Sequence, residues 1–149
     1  MPHEFIIRPY RAEDEEHVIH LWMRCNLVVA WNNPQRDIER KLKANPELFL
    51  VGVSHEHLVA TCMAGYEGHR GWINYLAVDP DYQRQGLAQK IMAAAEKKLQ
   101  DLGCPKINLQ VRSNNTGVIQ FYERIGYSVD NVLSMGKRLA EDSPIMSKT

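Results

Sequence analysis

The chain has 149 residues, 44% of them hydrophobic and 24% charged, with 18 basic and 18 acidic side chains and no formal net charge. That length and composition suit one domain over 1–149 with a sizeable core, and they exclude a disordered chain and a basic nucleic-acid binder. No apolar run approaches a membrane span, no signal-peptide pattern is present, and the three scattered cysteines form no disulfide framework, so a cytoplasmic location is expected.

Residues 5–8 read as a first strand. Residues 13–24 read as a helix whose apolar face is Val18, Leu21, Trp22 and Cys25, with Glu13 to Glu16 favouring its N-terminal end. His17 and His20 lie on adjacent turns, but no further ligand follows at a suitable spacing. They read as a solvated face, and no metal is expected. The connection 27–34 starts apolar (Leu27, Val28, Val29, Trp31) and ends in the turn chemistry of Asn32-Asn33-Pro34. A short helix follows over 37–44.

Residues 47–53 and 58–66 look like a hairpin through Ser54-His55-Glu56-His57. The Gly-rich turn 65–71 holds Glu67, His69 and Arg70, and reads either as a functional loop or as a solvated hairpin tip. Residues 72–78 are β-branched and aromatic, as a strand requires, and Asp79-Pro80-Asp81 stops them. Leu87, Ile91, Met92, Ala95, Leu99 and Leu102 recur at helical spacing until Gly103. Residues 106–111 alternate apolar and polar, as a strand does. The helix 116–125 is capped by Asn114 or Asn115, carries Val118, Phe121, Tyr122 and Ile125 on one face, and ends at Gly126. Residues 127–129 and 133–138 suggest a final pair of short strands, and 141–149 a flexible polar tail.

The unit 72–78, 87–102, 106–111 is a βαβ crossover, so its two strands should be parallel, while the hairpins around it should be antiparallel. The expectation is a mixed α/β sheet with helices on both faces. At the start of the long helix stands Gln83-Arg84-Gln85-Gly86-Leu87-Ala88. Free N–H groups, a positive dipole end, small residues and Arg84 suit an anion such as a pyrophosphate. An ordinary strand-to-helix turn accounts for the same residues equally well. The P-loop, dinucleotide and kinase signatures are absent.

Gln83-x-x-Gly86-x-Ala88, following Leu76-Ala77-Val78-Asp79-Pro80 and opening a long helix, resembles the central motif of the GCN5-related N-acetyltransferase (GNAT) family. Asn115 and the run 121–127 resemble its second signature. Segments 31–34, 37–41, 65–71 and 103–107 look like the small bacterial YpeA-type branch. The resemblance implies the GNAT fold and acetyl-CoA as cosubstrate. It implies that the N–H groups of Arg84, Gln85, Gly86, Leu87, Ala88 and Gln89 hold the pyrophosphate, with Gln83 in the motif. Leu76, Ala77 and Val78 would pair with the pantetheine arm, and Asn115 would bond to it. It implies direct transfer to an amine, small or on a peptide or protein, with Tyr122 protonating the departing thiolate.

On its residues alone, Tyr122 reads as core packing in register with Phe121 and Ile125, and only the resemblance gives it the acid role. The base is open, because strand 72–78 has no carboxylate before Asp79; Glu67 is the first candidate and His69 the second. Val118 stands where relatives often have Ala. Leu27–Trp31 reads as buried under the sheet or as a wall of the acceptor pocket. Family members are often dimers, but no sequence feature forces a homodimer. The alternative function is a non-catalytic acyl-CoA-binding or sensor module.

Overall fold

The computed structural model describes residues 4–142, and its five strands form one sheet in the order β1-β2-β3-β4-β5. β1 (Phe5–Pro9), β2 (Phe49–Ser54), β3 (His57–Tyr66) and β4 (Gly71–Val78) are antiparallel neighbours, and β5 (Ile107–Leu109) runs parallel to β4. The helices are α1 (Glu15–Arg24), α2 (Pro34–Lys41), α3 (Leu87–Asp101) and α4 (Thr116–Arg124). α3 is the crossover that makes β4 and β5 parallel, as its place between them requires. The expected mixed sheet is therefore present.

Two apolar clusters show how the helices cover it. Ile91, Met92, Ala95 and Leu99 of α3 and Tyr122 of α4 pack with Ile73 and Val78 on one face. Val18, Leu21 and Trp22 of α1 and Ile38 of α2 pack with Phe49, Val51 and Ala77 on the other. The α1 face matches the 3.6-residue periodicity of its apolar residues.

Capping chemistry decides where several elements begin. α2 starts at Pro34, earlier than the expected 37, because Asn33 Oδ1 accepts the Arg36 N–H at 3.1 Å and Pro34 takes the first helical position. A single 3-10 turn, Pro46–Leu48, delays β2 to Phe49. Another, Ala12–Asp14, precedes α1. There the Asp14 carboxylate receives the Arg8 guanidinium at 2.8 and 3.0 Å and the Arg11 N–H at 2.8 Å. The β2–β3 hairpin closes through His55 and Glu56 at φ 51° and 67°, which is I′-type turn geometry built without glycine.

The end of the chain departs from expectation. No strand forms over 127–129 or 133–138. Side chains alone hold this stretch beside β5: Lys106 Nζ and Asn108 Nδ2 reach Asp130 at 3.0 and 2.9 Å, and Gln110 donates to Ser134. Strand-like composition does not make a strand when no backbone ladder forms. Val132, Leu133 and Met135 consequently stand 76%, 91% and 92% exposed. A space of about 1440 Å³ separates this stretch from β5, α3 and α4. Of the expected tail, Asp142 is tied down by Arg36 and Arg40, and 143–149 lie outside the described residues.

Gly71 opens β4 where a Cβ would meet Cys104 Sγ at 2.8 Å, Leu99 Cδ1 at 3.2 Å and Ile107 Cγ1 at 3.3 Å. A methyl group there overpacks the joint between β4, α3 and β5. Gly71→Ala is expected to lower the unfolding free energy by about 1–3 kcal/mol, read from the urea midpoint at unchanged slope.

Candidate active site

Three features converge at the C-terminal half of β4. The first is a parted seam. β4 and β5 pair only at Gly71–Ile107, Trp72–Asn108 and Ile73–Leu109. β4 runs on to Val78, so among the described residues no strand pairs with the outer edge of 74–78. An open strand edge can bond an extended amide-containing ligand.

The second is a bulge. The β3–β4 register runs Ala64–Ile73 and Met63–Asn74, then shifts to Thr61–Ala77. Tyr75 takes φ 52° within this irregularity, a conformation unfavourable for a side chain of its size. The shift reverses which face each residue meets. Ile73, Leu76 and Val78 pack toward α3, whereas Tyr75 and Ala77 pack toward α1. A buried relay holds the distortion. Trp22 Nε1–H donates to Thr61 Oγ1 at 2.9 Å, and the Thr61 hydroxyl donates to the Tyr75 carbonyl at 2.8 Å. The Trp22 and Tyr75 rings stack with centroids 3.7 Å apart. The Tyr75 hydroxyl then donates to Asp37 Oδ2 at 2.5 Å.

The third is the start of α3. Asp79 Oδ1 accepts the Asp81 N–H at 2.8 Å and an Arg24 hydrogen bond at 2.9 Å, fixing the turn after β4. Gln83 Nε2 donates to the Val78 carbonyl at 3.1 Å and ties the loop back to the strand. Arg84 and Gly86 both have positive φ, 66° and 77°. Successive N–H groups in such a loop converge as an anion-binding nest. No side chain caps α3, so its first-turn N–H groups face outward. A Cβ at Gly86 would meet nothing within 4 Å, so the backbone there is open to a ligand.

Tyr122 lies beside the seam on the α3/α4 face, 8% exposed, edge-on to the Phe121 and Tyr127 rings. Burial, and secondarily the neighbouring Cys62, push its pKa up. Its hydroxyl has no hydrogen-bond partner among the described residues and is not sealed from solvent. It also lines the space beneath the C-terminal stretch, which reaches the seam at Trp72, Asn108 and Leu109. Asn115 caps α4, its Oδ1 accepting the Val118 N–H at 3.3 Å, which leaves its amide NH₂ uncommitted.

Glu67 stands apart from these groups. Its Oε1 accepts the Arg70 and His69 N–H groups at 2.7 and 2.6 Å, and these bonds hold its carboxyl below its ordinary pKa. It precedes the first residue of β4, whereas the bulge lies further along that strand. Leu27 and Val28 pack into the α1-side core, and Trp31 is 48% exposed with Arg112 over its ring at 5.4 Å. Sequence reading missed Asp37, Tyr75, Thr61 and Trp22 as a unit, because their contacts cross between elements and the bulge leaves no local signature.

The model of the Acetyltransferase (GNAT) family matches residues 13–127. An acetyltransferase of Sodalis glossinidius is 51% identical over 137 residues, covering 91% of this chain and 96% of its own. Among solved structures, Ard1 from Thermoplasma volcanium superposes with a TM-score of 0.76 at 23% identity, covering 85% of this chain and 84% of that one. The aminoglycoside enzyme AAC(6')-Iy, solved with a bisubstrate analogue, CoA-S-monomethyl-acetylneamine, has a TM-score of 0.74 at 18% identity, covering 91% and 99%.

Two outcomes are expected from this geometry. Thr61→Val leaves the Trp22 N–H and the Tyr75 carbonyl without their buried partner. It should reduce stability by about 1–3 kcal/mol in urea unfolding followed by tryptophan fluorescence. The second concerns alkaline pH. Burial raises Tyr10 to about 12 and also raises Tyr75, Tyr122 and Tyr127, the hydrogen bond to Asp37 adding at Tyr75 and that to Glu96 at Tyr127. Folded values above the unfolded value of about 10 mean that their contribution is complete below pH 10 and is lost as pH rises through the folded values. Unfolding free energy should therefore fall from pH 10 upward, and ultraviolet titration should show these four phenols ionising late.

Proposed function

We propose, from the premise that this chain belongs to the acetyltransferase (GNAT) family, that it transfers an acetyl group from acetyl-CoA to an amine, either small or on a peptide or protein. The observation that carries this reading is the conjunction of an uncapped helix start at Gly86 with a parted β4–β5 seam flanked by Tyr122. The CoA-linked acetylneamine bound to the fold neighbour AAC(6')-Iy supports an amine acceptor.

Bound acetyl-CoA supplies an activated thioester carbonyl. The N–H groups of residues 84–89 bind the diphosphate charge, helped by the helix dipole. Gln83 keeps that loop in place through Val78. The free edge of Leu76, Ala77 and Val78 bonds the amides of the pantetheine arm, and the Asn115 NH₂ donates to the same arm. The Leu76 N–H donates to the carbonyl oxygen as it gains charge. Its rigidity comes from the relay that fixes the Tyr75 carbonyl next door.

Tyr122 holds its proton throughout the neutral range because burial favours the uncharged phenol. It donates a hydrogen bond to the sulfur and hands over the proton as the C–S bond breaks. The acceptor nitrogen must be unprotonated when it attacks. Glu67 is our first candidate for that proton, reached through water because it precedes β4; its two backbone donors keep it ionised and also make it a weak base. His69, in the same turn, is the second candidate.

Thermal unfolding with and without acetyl-CoA tests the site. At a hundred times its dissociation constant the ligand should stabilise the wild type by about 2.7 kcal/mol. Gly86→Glu puts a carboxylate among the anion-binding N–H groups and should abolish the shift. No shift in the wild type would overturn the reading. A second experiment follows thiol release with an amine acceptor. Tyr122→Phe should lower kcat by about 10²–10⁴-fold while retaining the acetyl-CoA thermal shift. A wild-type shift with no thiol release from any amine would instead favour an acyl-CoA-binding module.

A further inference from the structure

We propose that Asp37, held in place by Tyr75, anchors a second positive charge on the acceptor, so that the preferred acceptor carries an ammonium group besides the amine that reacts. The proposal rests on the acetyltransferase reading given above.

The groups assigned to acetyl-CoA stand at the seam or on the α3/α4 face: the start of α3, Asn115 and Tyr122. The acceptor therefore comes to the seam from the α1/α2 side. The bulge turns Tyr75 toward that side, and stacking on Trp22 at an interplanar angle of 13° prevents its ring from swinging away. Its hydroxyl meets Asp37 on α2. A carboxylate thus stands on the acceptor side of a strand that carries no acid of its own before Asp79.

The surrounding charges leave Asp37 with one long ion pair, to Arg40, and with capacity for a further cation. Its Oδ2 accepts the Tyr75 hydroxyl, and its Oδ1 accepts no hydrogen bond among the described residues. The Asp37 side chain keeps 24% of its surface exposed. Arg40 Nη1 is 3.8 Å from Oδ1, but that guanidinium is committed to Asp142 at 2.7 and 3.0 Å. Arg36 also turns to Asp142, at 3.3 Å. Lys41, one turn beyond Asp37, donates instead to the Ala64 carbonyl. The C-terminal Asp142 thereby absorbs the two arginines that would otherwise neutralise the site.

Reach decides which charge Asp37 binds. The carboxylate lies a full tyrosine side chain plus one hydrogen bond from the bulge. That is too far for the nitrogen attacking a carbonyl held at Leu76. It suits a cation several bonds away on the same molecule, as in an alkyl diamine.

The test is calorimetric titration of 1,5-diaminopentane and of pentylamine into the CoA-loaded protein, for the wild type and Asp37→Asn. Asparagine keeps the shape and can still accept from Tyr75 while removing the charge. The wild type should bind the diamine about tenfold more tightly than the monoamine, as a charge-assisted contact provides. That preference should vanish in Asp37→Asn. A purely structural Asp37 would change stability and leave the preference intact, so thermal unfolding without amine is measured in parallel. Equal affinities in the wild type, a preference that survives in Asp37→Asn, or no diamine binding to the CoA-loaded protein would each overturn the anchor and leave the acetyltransferase reading standing. Failure of the wild type to take up CoA would overturn that reading itself, and the anchor with it.

Discussion

The site depends on one buried hydrogen-bond relay, from the Trp22 indole through the Thr61 hydroxyl to the Tyr75 carbonyl. Tyr75 sits in a backbone conformation that a bulky residue avoids, and the relay with the Trp22 stack is what over-determines it. Everything beyond the bulge follows from the phase it imposes. Leu76 and Val78 meet α3, Tyr75 and Ala77 meet α1, and the outer edge of β4 is left open where β5 ends. The relay joins α1, β3 and β4, so the distortion is anchored from two other elements.

The two faces of the sheet carry different electrostatics. At the start of α3, uncapped N–H groups and left-handed Arg84 and Gly86 gather positive potential for an anion. On the opposite face, the arginines of α2 are taken up by Asp142, and Lys41 by a carbonyl. On the proposed reading, an anionic cosubstrate and a cationic acceptor would meet the seam from opposite sides. This segregation arises at no net charge for the chain, so the pattern matters and the total does not.

What could be read from residue order was what local chemistry decides. The strand stop at Asp79-Pro80, the Gly86 helix start and the Asn115 cap each involve residues a few positions apart, and each stands where periodicity and capping put it. The crossover between β4 and β5 followed from connectivity. The bulge was illegible because 72–78 has the composition of an unbroken strand. Asp37 was illegible because its partner Tyr75 is 38 residues away. The expected closing strands failed for the converse reason. Val129, Leu133 and Met135 have strand-forming composition, but β5 meets that stretch through side chains alone. Tyr122 shows the limit of pattern, since its apolar register is true and its hydroxyl, unpartnered among the described residues, is a separate fact.

The brevity of the parallel ladder has a mechanical meaning. Three register pairs make up the backbone ladder between β5 and β4. Local opening needs least free energy where the fewest backbone bonds and buried contacts must break. The β5–α4 end is therefore expected to open ahead of the central strands, with its amides exchanging before those in β2 and β3. A ligand that grips both α3 and α4 crosses this hinge and acts as its missing fastener. Part of its binding energy then goes into ordering the protein, and occupancy becomes visible as slowed exchange far from the atoms it touches.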